Sequence, residues 1–264
     1  MSATIIPSLY VKRLGEQTTK LALRLTTARH HCVVRFTGGC GHMDPEDAKG
    51  MYELFLTAFN GFAGAMLFGG TRMLRGKEIV PGITEVPPMI KEKNPGCILL
   101  GVVPKMQDLR IVEQGIYLSG NWNDIMTIIH PYQDQCLVIQ KNPDAGVSWE
   151  VEYEECMHIT NDLREIANWR SLLVSYNGGS VSEKEILATA AAGWPVLLVE
   201  GSGRKTDEYA RNKTFLAEYP NVLVAQRDAS DLRSKLFLTG ALERLSLTMV
   251  TGRKEESTLS RAVQ

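Results

Sequence analysis

The sequence predicts a single α/β domain, a parallel sheet with helices on both faces, and three observations carry that expectation. Apolar runs of strand length recur along the 264 residues, stretches with helical spacing of apolar residues separate them, and four of the runs end in glycine pairs or triplets. Strands that are apolar throughout, rather than alternating, are those buried on both faces, the condition of a parallel sheet covered by helices. Hydrophobic residues make up 44% of the chain and charged ones 22%, ordinary values for a folded domain with a sizeable core.

The elements follow in order. Residues 32–36 (CVVRF) read as a strand running into Thr37-Gly38-Gly39. Asp44 then caps a helix, Pro45 suits its first position, and Ala48, Met51, Phe55 and Ala58 share a face. Residues 64–68 (GAMLF) are the next strand, ending in Gly69-Gly70-Thr71. Residues 82–94 carry no clear signal, since Pro87-Pro88 interrupts any helix there. Residues 97–104 are a strand, and 105–131 are expected to form a long loop with little regular structure. Strands follow at 136–140, 171–176, 195–200 and 221–225. Helices are expected near 150–169, at 182–192, after Thr206 and near 230–248. Residues 1–29 read as an N-terminal extension, 30–250 as the domain, and 251–264 as a polar flexible tail.

Several classes of function are disfavoured. With 29 Lys+Arg against 30 Asp+Glu the formal net charge is -1, so bulk electrostatic binding of nucleic acid is not expected. The longest apolar run, residues 186–199, includes Gly193 and Pro195 and falls short of the roughly 20 residues that span a bilayer, so no membrane insertion is expected. The start, MSATIIPSLYVKR, lacks a charged segment followed by a long apolar stretch, so no signal peptide is expected either. Cys32, Cys40, Cys97, Cys136 and Cys156 are odd in number and form no CxxC pair, which points to reduced thiols in a cytoplasmic protein.

The glycine loops carry the functional signal. In an open parallel sheet all strands point their C-terminal ends to one edge, where ligands bind in the crevice at which the strand order reverses. Glycine lets backbone approach a ligand, and the helix that follows offers free N–H groups and a partial positive charge. The candidate ligand-binding residues are therefore Thr37, Gly38 and Gly39; Gly69, Gly70, Thr71 and Arg72; Gly178, Gly179, Ser180 and Ser182; and Gly201, Ser202, Gly203 and Arg204. Tight β–α turns use glycine as well, so each loop alone has that plainer explanation. Arg204, inside Gly-Ser-Gly-Arg at a helix start, suits a forked grip on phosphate; Arg72 is equally compatible with a solvated surface charge.

Glu185, one turn into a helix beside the crevice, is the candidate acid or base for a glycosidic bond. Two capping boxes, Ser182 with Glu185 and Ser180 with Glu183, explain the same residues without chemistry. Cys40-Gly41-His42 and Cys156-Met157-His158 have no recognisable zinc spacing, and no metal site is expected. GxSxG and GxxxxGK[ST] motifs are missing from the sequence. Trp149 and Trp169 bracket a helix and read as packing residues.

RFTGG, LFGGT, LLGVVP, SYNGGS and PVLLVEGSGRKTDEYA together resemble the SLOG superfamily, and more narrowly the N-terminal cytosolic domain of melastatin-type TRP channels and its stand-alone prokaryotic relatives. The resemblance covers roughly residues 30–225. It implies a Rossmann-like domain that binds a nucleotide, in the channels ADP-ribose or a relative, through the four loops above, and it adds Asp207 after the GSGR turn. The channels carry a Gly-Lys-Tyr-Gly pattern followed by an arginine; here the corresponding positions are Gly146-Val147-Ser148-Trp149 and Glu155, which implies a ligand that is different, smaller or turned around. LOG-type phosphoribohydrolases, an enzymatic branch, carry GGxGTxxE. Gly178, Gly179, Ser182 and Glu185 fall on its glycines, hydroxyl and glutamate, with Val181 replacing the third glycine.

The leading expectation is a cytoplasmic sensor that binds an ADP-ribose-like or other NAD-derived nucleotide, needs no cofactor, and signals to a protein effector or through its own homo-oligomer. A nucleotide N-glycosidase using Glu185 is the alternative. A scaffold with a degenerate pocket is the third.

Overall fold

The computed structural model describes residues 8–13, 28–40, 43–106, 109–122, 124–140 and 149–243. Its elements run β1 (Ser8–Arg13), β2 (Cys32–Gly38), α1 (Pro45–Ala58), β3 (Ala65–Phe68), β4 (Thr71–Arg75), β5 (Glu78–Val80), α2 (Val86–Lys93) and β6 (Ile98–Pro104). They continue with β7 (Arg110–Val112), β8 (Gly115–Trp122), β9 (Ile125–Ile129), β10 (Gln135–Gln140), α3 (Glu150–Ala167), β11 (Arg170–Tyr176) and α4 (Ser180–Ala191). Last come β12 (Val196–Glu200), α5 (Arg204–Arg211), α6 (Lys213–Glu218), β13 (Val222–Gln226) and α7 (Ala229–Leu238).

Eight strands form one parallel sheet in the order β1-β10-β6-β3-β2-β11-β12-β13. This is the α/β architecture the sequence predicts, in one domain. The edge strand β1 lies in the stretch read as an N-terminal extension. From β2 the chain builds outward through β3, β6 and β10, then crosses back to β11 and builds the other way. The strand order therefore reverses between β2 and β11.

Alternation along β2 divides the core. Cys32, Val34 and Phe36 face Met51 and Phe55 of α1, Ile90 of α2 and Leu232 of α7. Val33 points the other way, into the layer under α3 with Leu67, Ile159 and Leu163. Beside that layer, Leu173, Leu198, Ile186 and Phe215 pack beneath α4, α5 and α6. Burying one such side chain contributes about 1.5–3 kcal/mol, so these layers dominate the stability of the sheet.

Helix α1 starts as predicted: the Asp44 side chain accepts from the N–H groups of Glu46 and Asp47, and Pro45 occupies the first turn. Two expectations need correction. Pro87 and Pro88 do not interrupt a helix; they form the first turn of α2, where a backbone N–H has no intrahelical partner to lose. Residues 105–131 are not a long loop. They hold β7, β8 and β9, which join β4 and β5 in a five-stranded antiparallel sheet ordered β5-β4-β9-β8-β7. Ile116, Leu118 and Ile129 pack with Val103, Cys136 and Val138 of the main sheet. Buried Thr127 and Ile128 interrupt a simple alternation along β9, which hides the strand in the sequence. The last helix ends at Leu238; residues 244–250, and the tail 251–264, lie outside the described residues.

Candidate functional site

The strand-order reversal places the ends of β2 and β11 side by side, with Tyr176 opposite Gly38 in register. The two loops are bonded to each other and to the loop after β12. Gly39 N–H donates to the Tyr176 carbonyl at 3.3 Å, and Thr37 Oγ donates to the buried Ser182 Oγ at 2.9 Å. Asn177 N–H donates to Ser202 Oγ at 3.0 Å, and Gly178 N–H donates to Thr206 Oγ at 2.8 Å. The Asp207 carboxylate accepts from the N–H groups of Gly201 and Ser202, at 2.8 and 3.1 Å, so it holds the turn from within.

That turn aims an arginine. Gly203 has φ +103 and Arg204 has φ +52, a left-handed conformation that a residue with a side chain rarely adopts. The Arg204 side chain then lies across both glycine loops. A β-carbon added to Gly179 would sit 2.5 Å from its Nη2, and one added to Gly39 would sit 3.3 Å from its Nη1. Arg204 is exposed and makes no ion pair among the described residues. An exposed guanidinium over two glycine loops, unpaired among the described residues, offers a forked set of donors that an anion could accept.

The other glycines divide. Gly38 packs against the Tyr176 carbonyl and Gly70, at φ +48, against Gly101, so both permit close backbone approach within the sheet. Gly69 faces Glu152, which enters from α3: a β-carbon there would lie 2.6 and 2.9 Å from its carboxylate oxygens. Thr71 is buried in β4. Ser180 is the first residue of α4, and Gly179 is the N-cap with no side-chain hydrogen bond, so neither proposed capping box forms. Glu183 instead pairs with Lys205 at 3.1 Å and accepts from Tyr209.

Glu185 is buried one turn further along α4. Arg35 of β2, itself 1% exposed, donates to it at 3.2 Å and to Thr189 Oγ at 2.6 Å, while its Nε has no hydrogen-bond partner among the described residues. Burial raises the Glu185 carboxyl above its ordinary range, opposed by the Arg35 charge and by the nearby Thr37 hydroxyl. Glu152 is pushed up to about 8, by burial first and by the neighbouring Glu185 second. The sheet edge near β2 and β11 thus carries an exposed Arg204 and, in the fold beside it, two carboxyl groups with raised affinity for protons.

Arg72 is committed elsewhere. It grips Glu85 with two nitrogens, at 2.6 and 3.0 Å, and lies 3.0 Å from His130 Nε2. The Tyr132 N–H donates to His130 Nδ1, which leaves Nε2–H to face Glu85 at 3.2 Å. Arg72 lines a cleft of about 680 Å³ between α2 and the turn after β9, together with Glu85, Met89, Lys91, Tyr132 and Asp134. None of the four glycine loops contributes a glycine to that cleft.

Sequence reasoning missed Arg35, Glu152, Asn177 and Thr206. An arginine inside the apolar run CVVRF was a usable signal, because a charge in a strand buried on both faces needs a buried partner. Glu152 gave none, being one of several acids in its helix. Trp169 is buried and stacks on His31, as a packing residue does. His42 and residues 146–148, from the half metal site and the channel-like stretch, lie outside the described residues.

No protein-family model matches the sequence, and no curated protein matches it. Solved structures resemble it in fold. TM1055, a structural-genomics target, is 18% identical over 78% of this chain and 98% of its own, with a TM-score of 0.45. The molybdenum cofactor carrier protein of Chlamydomonas reinhardtii is 16% identical over 81% and 100%, with a TM-score of 0.47. The molybdenum cofactor binding protein of Rippkaea orientalis is 15% identical over 80% and 96%, with a TM-score of 0.46. At these values the likeness bears on neither ligand nor activity. No helix among the described residues is long and apolar enough to cross a membrane.

Proposed function

We propose that the chain is a nucleotide sensor that binds a phosphate-bearing, NAD-derived ligand such as ADP-ribose at the β2–β11 crevice. The observation that carries the reading is Arg204, held in a left-handed conformation across Gly39 and Gly179 with no acidic partner among the described residues. A phosphate there meets a forked donor and the N-terminus of α4, both of which favour an anion. The resemblance to the cytosolic domain of melastatin-type channels supports the same ligand class. The bound state would pass to a protein effector or through a homo-oligomer.

A second reading has its own observation. Glu152, pushed up to about 8, carries a proton at neutral pH beside Glu185, and a neutral carboxyl in a ligand crevice can protonate a departing base. That chemistry is N-glycosidase chemistry, with Glu152 rather than Glu185 as the proton donor.

A thermal-shift titration with ADP-ribose, NAD, AMP and cyclic nucleotides, with each mixture assayed for free base, separates the readings. A ligand at 100 times its dissociation constant adds roughly 2.7 kcal/mol, a rise of several degrees in a chain of this length. A shift without released base supports the sensor; released base supports the glycosidase. Silence from every compound counts against both and favours the scaffold.

A further inference from the structure

Glu152 lies against Gly69 at the end of β3, the immediate neighbour of β2. Its carboxyl makes no hydrogen bond or ion pair among the described residues, so its oxygens remain available to a ligand. The position is one strand beyond the gap that Arg204 spans. Neighbouring strands are about 4.8 Å apart, so the step from a phosphate on Arg204 to Glu152 is about 5–10 Å, the span from a 5′-phosphate to the hydroxyls of its own ribose.

Chemistry narrows what can sit there. A second phosphate group brings negative charge to a site already rich in carboxyl groups, Glu152 and Glu185. A vicinal diol brings two hydroxyls to two carboxyl oxygens, and because hydroxyls both donate and accept, the match survives either protonation state of the acid. Open α/β sheets hold a ribose in this way, with an acidic residue near the end of the strand next to the phosphate loop. Here β3 ends in Gly69-Gly70 and carries no acid of its own at that end; α3 supplies one.

We propose that Glu152 receives the ribose hydroxyls of a ribonucleotide whose phosphate lies on Arg204, so that the crevice selects ribonucleotides over their deoxy counterparts. The inference rests on the phosphate placement proposed above, and the two are separable by experiment.

Calorimetric titration of the full chain with AMP, 2′-deoxy-AMP, 3′-deoxy-AMP and adenosine provides the test. The wild type is expected to bind at least one deoxy analogue about tenfold more weakly than AMP, the size of one buried hydrogen bond left unmade. Glu152→Ala should reduce that ratio towards one; Glu152→Gln, which keeps the shape of the side chain, should reduce it in part and guards against a folding defect in the alanine variant. Equal binding of AMP and both deoxy analogues by the wild type, or a ratio undiminished in both variants, overturns the role of Glu152. AMP no tighter than adenosine overturns the phosphate placement instead, and no binding of AMP overturns both.

Discussion

Arg35 donates to the Glu185 carboxylate at 3.2 Å, with the two side chains 1% and 8% exposed. The pair fills the seam between the layer under α3 and the layer under α4, where Val33 and Leu173 each belong to an apolar cluster but β2 carries a charge.

Breaking this pair from one side should be costly. Arg35→Met leaves Glu185 buried without its cation, and Glu185→Leu leaves Arg35 buried without its anion; each should lose about 3–5 kcal/mol. The double substitution should lose much less than the sum. Denaturant unfolding of the four proteins measures this, and additive losses would mean the pair is not coupled.

Arg204→Ala should leave stability within about 0.5 kcal/mol, since the side chain is exposed and makes no ion pair among the described residues. Its effect should fall on binding: AMP weakened about tenfold or more, adenosine nearly unchanged. Titration of both ligands decides it. Equal losses for the two would remove Arg204 from the phosphate.

Two glycines should respond differently to one added methyl group. At Gly179 the new carbon meets the mobile end of Arg204, so Gly179→Ala should fold normally, displace the guanidinium and weaken phosphate binding. At Gly38 it meets the Tyr176 carbonyl, which the sheet register fixes, so Gly38→Ala should destabilise by about 1–3 kcal/mol. Melting temperature and AMP affinity, measured on both, should separate in opposite directions.

Glu152 should make stability depend on pH. Its carboxyl rises from 4.5 to about 8 on folding, so between those values the folded state holds a proton the unfolded chain has released. Its contribution is complete below about 4.5 and is lost as pH rises through about 8. Glu152→Gln, neutral in both states, should therefore gain on the wild type towards pH 8, by on the order of 2 kcal/mol, less than the full shift because water reaches part of the side chain. Unfolding curves at pH 5 and pH 8 test this; a constant difference between the two proteins would refute it.

Much of this molecule was legible in local sequence. Asp44-Pro45 marks the start of α1 because cap and first turn depend only on neighbouring residues. The apolar runs mark the parallel strands because burial on both faces leaves no room for alternation. The antiparallel sheet stayed hidden because Ile116, Leu118 and Ile129 are buried by contact with β6 and β10, and that contact exists only in the folded chain. Pro87-Pro88 misled for a related reason: a proline's effect depends on its place in the helix, which the pair itself does not announce.

The glycine loops, and the expectation that they gather at one edge, followed from the sequence, because parallel strands point their ends the same way. Which loops meet did not. The reversal between β2 and β11 brings Gly39 and Gly179 under Arg204; Arg72 pairs with Glu85, and Asp207 sits inside its own turn. Arg35 with Glu185, and Glu152 over Gly69, join residues distant in the chain. Local spacing fixes periodicity, caps and turns; long-range partnership is set by strand order and burial, and only the folded chain decides those.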